Sequence, residues 1–196
     1  MTAYANFIKD YPDRCKRLLD KNFIKAGLNN LEVTLLLSIC SSGLIIPYER
    51  LKDSSHIAKD SNRFKSAKTK FDQLLKLPFI HSDLWDSTDE ITWRFCKKHD
   101  FQGDPDSWEI DDWDPIGAET KVEQVIKTMR NALAHGNIFI RGKQHIDLII
   151  FLSRIVPNDP DKGHRCLTVS PAHLHKCILN WFNFISRIDI LGDTIV

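Results

Sequence analysis

The sequence predicts a mainly α fold with a small β-hairpin or short antiparallel sheet between its last two helices. Three observations predict it. Apolar residues recur at helical spacing through several long segments. Two runs rich in β-branched and aromatic residues, "NIFI" and "IDLIIFL", flank a turn at residues 141–144, and "RCLTV" supplies a third candidate strand. The 196 residues also lack an internal repeat, a low-complexity tract or an interdomain linker, so one domain with a sizeable core is expected.

A first amphipathic helix is expected over residues 12–26, with Leu18, Leu19 and Phe23 in its stripe and Gly27 as its C-cap. The next segment, "NLEVTLLLSICSSGLIIP", is apolar on nearly all sides. It reads as a central bundle helix that starts after Asn30 as N-cap and stops at the Gly43 and Pro47 punctuation. A third helix fits "NRFKSAKTKFDQLLKL", with Phe64, Ala67, Phe71, Leu74 and Leu75 inside and Arg63, Lys65, Lys68 and Lys70 outside. That basic face is either a solvated surface or a guide for a polyanion.

Residues 81–115 break the pattern. They read as an irregular, acidic, Trp-rich excursion packed by Trp85, Trp93, Trp108 and Trp113, with at most one short strand around residues 91–95. Helical spacing returns at "DPIGAETKVEQVIKTMRNALAHG". There Asp114 with Pro115, or Thr120 with Glu123 as a capping box, starts the helix and Gly136 ends it. A last helix opens at Ser170 with Pro171 in first position and carries Leu174, Ile178, Trp181, Phe182, Ile185 and Ile188.

Composition excludes some functions. With 27 Lys+Arg against 26 Asp+Glu the net charge is +1, so no whole-molecule field draws the chain to nucleic acid or an anionic membrane, and a polyanion partner needs a local patch. The 5 Cys are scattered without a C-x-x-C pair, which fits reduced thiols. The start "MTAYANFIKDYPDR" has no signal-peptide pattern and no apolar run is of membrane-spanning length, so a cytoplasmic protein is expected. The chain has no glycine-rich phosphate loop.

Arginine five or six residues before histidine occurs at Arg50 to His56, Arg94 to His99 and Arg130 to His135. Only the last pair lies in a strongly periodic helix. There Val122, Val125, Ile126, Met129 and Leu133 form the apolar stripe, while Asn131 and His135, four apart, stack on roughly the opposite side with Arg130 on the shoulder. The trio is expected to point away from its own core. Asn131 is a mediocre helix former unless its amide binds something, and Ala132 and Ala134 leave room for another backbone or a ligand. The residues alone leave open a plainer alternative, a capping histidine beside an exposed Asn and a surface Arg.

The string "RNALAHGNI" on a late helix, followed by a hairpin and a final helix, resembles the HEPN superfamily (higher eukaryotes and prokaryotes nucleotide-binding). Its ribonuclease branch has Arg, a polar residue, a short spacer and His, matched here by Arg130, Asn131 and His135. "EVTLLLSICSSGLIIPYERL" is similar to the second helix of a plasmid- and chromosome-borne HEPN subfamily, so the likeness covers most of the chain, apart from the Trp-rich excursion. The resemblance implies a single HEPN-like domain over residues 1–196, an up-and-down bundle that pairs as a homodimer with the two motifs facing across a cleft. It also implies metal-independent RNA cleavage without a cofactor, often by a toxin held by an antitoxin, here of nucleotidyltransferase-like type, or within a defence system. Arg130, Asn131 and His135 would be catalytic; whether Lys65, Lys68 and Lys70 guide RNA stays open, as the basic face of the third helix left it. The other outcome is a non-catalytic dimer that binds RNA, nucleotide or protein.

A zinc site from His164, Cys166, His173, His175 and Cys177 is the rival constellation. Its spacings match no familiar zinc motif, and His173 and His175, two apart on a helix, do not share a face, so no metal is expected. No Cys lies in a motif that would activate it as a nucleophile.

Overall fold

The computed structural model describes residues 7–52, 62–86, 92–98, 107–110, 113–156 and 159–188. His56, His99 and parts of the Trp-rich excursion lie outside the described residues. The fold is mostly helical with a small four-stranded antiparallel sheet, as the periodicity predicts. The chain divides into two compact units, one of Met1–Lys76 with Cys177–Val196 and one of Leu77–Lys176.

The first unit contains α1 (Phe7–Gly27), α2 (Glu32–Ile39), a π-helical turn (Cys40–Leu44), α3 (Ile45–Lys52), α4 (Asn62–Lys76) and the greater part of α6 (Pro171–Arg187). Three boundaries differ from expectation. Helix α1 begins before Pro12, which sits inside it and forgoes one backbone N–H bond. Gly27 is its last helical residue, and the left-handed turn is taken instead by Asn30, at φ 55°. That conformation makes Asn30 part of the turn, so Leu31 is the N-cap of α2 and no side chain caps it.

The third difference is larger. The apolar segment does not stop at Gly43 and Pro47 but passes through the π turn into α3. Pro47 has no N–H for the carbonyl four residues back, that of Gly43, and the Trp181 indole N–H donates to this oxygen at 3.1 Å. A side chain from a distant helix thus serves the polar group that proline leaves exposed. Gly43 is also needed for space, because a Cβ there would lie 2.8 Å from the Phe182 ring.

The resulting helix, Glu32–Lys52, has 21 residues and is, among the described residues, long and apolar enough by length and composition to cross a membrane, contrary to the expectation that no such run exists. Its Leu36, Ile39, Leu44, Tyr48 and Leu51 are buried in the core. Phe71 of α4 meets Tyr48 and Trp181 edge-on, with ring centroids 5.7 and 6.3 Å apart. The predicted α4 stripe of Phe64, Ala67, Phe71, Leu74 and Leu75 is buried throughout.

The second unit contains β1 (Arg94–Lys98), α5 (Val122–His135), β2 (Ile138–Arg141), β3 (Leu148–Val156), β4 (Asp159–Val169) and the start of α6. Strand order is β1-β4-β3-β2, all pairs antiparallel. The hairpin and third strand follow the sequence reading, but the excursion adds the fourth strand, a few residues beyond the expected position. Successive strand residues face opposite sides. Ile150, Leu152 and Cys166 on one face pack with Trp108, Ile110 and Trp113, which accounts for three of the buried aromatic and aliphatic residues in the excursion. Trp93 is buried too, 4.9 Å from the Phe79 ring.

Helix α5 starts at Lys121 as N-cap, one residue after Thr120 and well past the alternative start at Asp114 and Pro115. The Gln124 side chain accepts from the Lys121 N–H at 2.8 Å. Thr120 is instead held by its carbonyl, which accepts from the Phe79 N–H at 2.8 Å. Gly136 ends the helix in the left-handed conformation, φ 70°, and its N–H returns to the Ala132 carbonyl. At α6 the expected cap is present: the Ser170 hydroxyl accepts from the His173 N–H at 3.3 Å, with Pro171 first.

Candidate functional site

Val122, Val125, Ile126 and Met129 are buried, so the predicted stripe of α5 is its core face; Thr128 and Ala132 join it, and Leu133 is only half-buried. The outward orientation expected of Asn131 is corrected by the structure. Asn131 is half-buried against β3, where its Nδ2 donates to the Ser153 hydroxyl at 2.9 Å. On its other side Oδ1 accepts from the Arg130 guanidinium at 2.8 Å. Ser153 is itself 2% exposed and its hydroxyl reaches the Arg154 carbonyl at 3.4 Å.

The chain Arg130–Asn131–Ser153–Arg154 carbonyl therefore orients the amide at both ends. Each donor in it faces an acceptor. His135 lies one turn beyond Asn131 on the same side of the helix, at its last residue, and is exposed. Arg130 is half-buried. The structure thus joins Arg130 and Asn131 by a hydrogen bond and leaves the imidazole open to solvent one turn away.

Ser153 is the residue that sequence reading missed. Its signal is a hydroxyl in line with Ile149 and Phe151 on an otherwise apolar strand face. A buried polar side chain at such a position needs a partner.

The other candidates divide. Lys65 and Lys70 are exposed on α4, in the first unit, while Lys68 pairs with Asp72 at 3.1 Å. Arg94 of the second Arg-to-His pair donates to the Trp113 carbonyl, a structural use that ties β1 to the excursion. Of the zinc rivals, His173 is buried with Nδ1 2.7 Å from the Thr92 hydroxyl and 2.8 Å from that of Ser170. Among the described residues no group of three His, Cys, Asp or Glu is arranged to hold a metal ion.

The thiols differ in acidity. Burial pushes Cys177 up to about 12 and raises Cys40, which lies near it, and Cys15 as well. Cys96 and Cys166 face each other across β1 and β4. Their mutual hydrogen bond lowers Cys96, while burial first, and then Cys96, raise Cys166.

With this geometry in place, the family model HEPN pEK499 p136 matches residues 1–190. The chain belongs to this HEPN family. The match spans both units and includes the Arg130-to-His135 helix, so the HEPN resemblance of "RNALAH" stands within a likeness over nearly the whole chain. No curated protein and no solved structure matches the chain.

Proposed function

We propose that this HEPN protein is an endoribonuclease that uses the RNA's own 2′-OH as nucleophile, with Arg130, Asn131 and His135 as its site. The observation that carries the reading is the anchored amide. Asn131 is fixed by Ser153 and holds the Arg130 guanidinium, while His135 stands exposed on the same helix side.

The chemistry needs a base, an acid and fixed positive charge. His135 takes the proton from the 2′-OH, the 2′-oxygen bonds to phosphorus, and the bond from phosphorus to the 5′-oxygen breaks. The leaving oxygen receives a proton from a second acid. Arg130 holds the non-bridging oxygens with its fork of donors, and Asn131 keeps that fork aimed. These groups supply the base and the fixed positive charge without a metal. Because one protomer offers one such histidine, the second acid is the partner's imidazole or water, which favours a homodimer with facing motifs. The wider setting we propose is a cytoplasmic toxin or defence nuclease restrained by an antitoxin of nucleotidyltransferase-like type.

A second reading, a non-catalytic dimer that binds RNA, nucleotide or protein, is favoured by one observation. The amide of Asn131 is already used within the fold at both of its ends. Incubation of the purified protein with structured and unstructured RNA in EDTA separates the two. RNA ends carrying 2′,3′-cyclic phosphate support the nuclease, and binding without any cleavage supports the second reading.

A further inference from the structure

The end of the sheet next to Asn131 carries a row of cations that the motif does not include. Ser153 of β3 stands opposite Arg165 of β4, and Arg165 stands opposite Lys97 of β1. Directly opposed residues in antiparallel strands share a face. Arg165 and Lys97 therefore project to the same side of the sheet as Ser153, the side to which Asn131 is bonded. With strands spaced about 4.8 Å apart, the row extends about 10 Å from the Asn131–Ser153 contact.

The C-terminal turn of α5 is seated at this end. The Asn137 carbonyl, two residues past His135, accepts from the Leu152 N–H at 3.0 Å. Lys97 is exposed. Arg165 is half-buried, and its Nε, fully shielded from solvent, has no hydrogen-bond partner among the described residues. Neither side chain has an acidic partner among the described residues. No described residue accepts from this guanidinium, and it is the solvent-reachable part of the half-buried side chain that a phosphate would meet.

We propose that Lys97 and Arg165 form, with Arg130, a phosphate-binding track that leads a single-stranded RNA backbone across the sheet to His135. The inference rests on the ribonuclease reading of Arg130, Asn131 and His135. Cations set in a row on a sheet contact successive phosphates without reading bases, so the track gives affinity and register but no sequence preference. It also answers the near-neutral net charge, since a local row supplies the attraction that the whole molecule lacks.

Lys98, the next residue, provides the control. It faces the opposite side, where its ammonium lies 6.0 Å from the Trp113 ring centroid. The test uses full-length protein carrying His135→Ala to prevent turnover, with a short fluorescein-labelled single-stranded RNA followed by anisotropy across a salt series. Each phosphate contact contributes about 0.7 to the slope of log affinity against log salt for single strands. Lys97→Gln and Arg165→Gln are each expected to reduce the slope by about that amount, and Lys98→Gln to leave it unchanged. If Arg165→Gln fails to fold, exposed Lys97→Gln against Lys98→Gln decides alone. Equal slopes for Lys97→Gln and its parent overturn the track while leaving the cleavage reading intact. A parent that binds no RNA, from a wild type that cleaves none, overturns both.

Discussion

The Asn131 amide donates to the Ser153 hydroxyl at 2.9 Å and so couples the motif helix to the third strand of the sheet. The motif is thereby part of the packing of its own unit, and its arginine is aimed by a residue that the core holds in place. Removing the hydroxyl leaves a half-buried amide without its acceptor.

Ser153→Ala is accordingly expected to destabilise the protein by about 1 kcal/mol in urea unfolding, the low end of the cost of an unsatisfied donor because the amide is only half-buried. It should also lower RNA cleavage although Ser153 touches no substrate. A variant as stable and as active as the wild type would show that the amide is positioned by something else.

Gly43→Ala tests the close approach in the other unit. The added Cβ would lie 2.8 Å from the Phe182 ring and 3.2 Å from Cys15 Cβ, so a loss of about 1–3 kcal/mol is expected from overpacking. Trp181→Phe keeps most of the apolar volume but removes the donor to the Gly43 carbonyl. A loss of about 1–3 kcal/mol is expected there as well, read from the same denaturant curves.

The sequence makes much of this fold legible, and the exceptions have physical causes. The stripe of α4 and the core face of α5 are legible because apolar residues at helical spacing on one side of a segment mark the face it buries. The run through Gly43 and Pro47 is not, because those residues normally end helices. Here the missing backbone donor is replaced by Trp181, which is remote in sequence. The same holds for the site. Arg130, Asn131 and His135 are legible as a motif, whereas the bond from Asn131 to Ser153 depends on which strand face α5 covers.

The thiols give a pH dependence. Cys177 is pushed up to about 12 in the folded protein from an ordinary value of 9.0, so folding favours its protonated form. Its contribution to stability is full below about pH 9 and is lost as pH rises toward 12, at a rate approaching about 1.4 kcal/mol per pH unit. Denaturant unfolding at pH 8 and pH 10 should show the decline, and Cys177→Ala should reduce it. In the native state Cys96, half-buried and lowered by its bond from Cys166, should be the first of the thiols in the described residues to react with iodoacetamide. Labelling of Cys40 or Cys177 ahead of Cys96 would contradict this assignment.

The most direct test of the central claim is the single-turnover rate at which wild-type and His135→Ala protein cleave end-labelled RNA in the presence of EDTA. With folding verified by circular dichroism, a loss of about 10²–10⁴-fold is expected in the variant, the usual contribution of a positioned general acid or base. Cleavage at the wild-type rate by His135→Ala would contradict it.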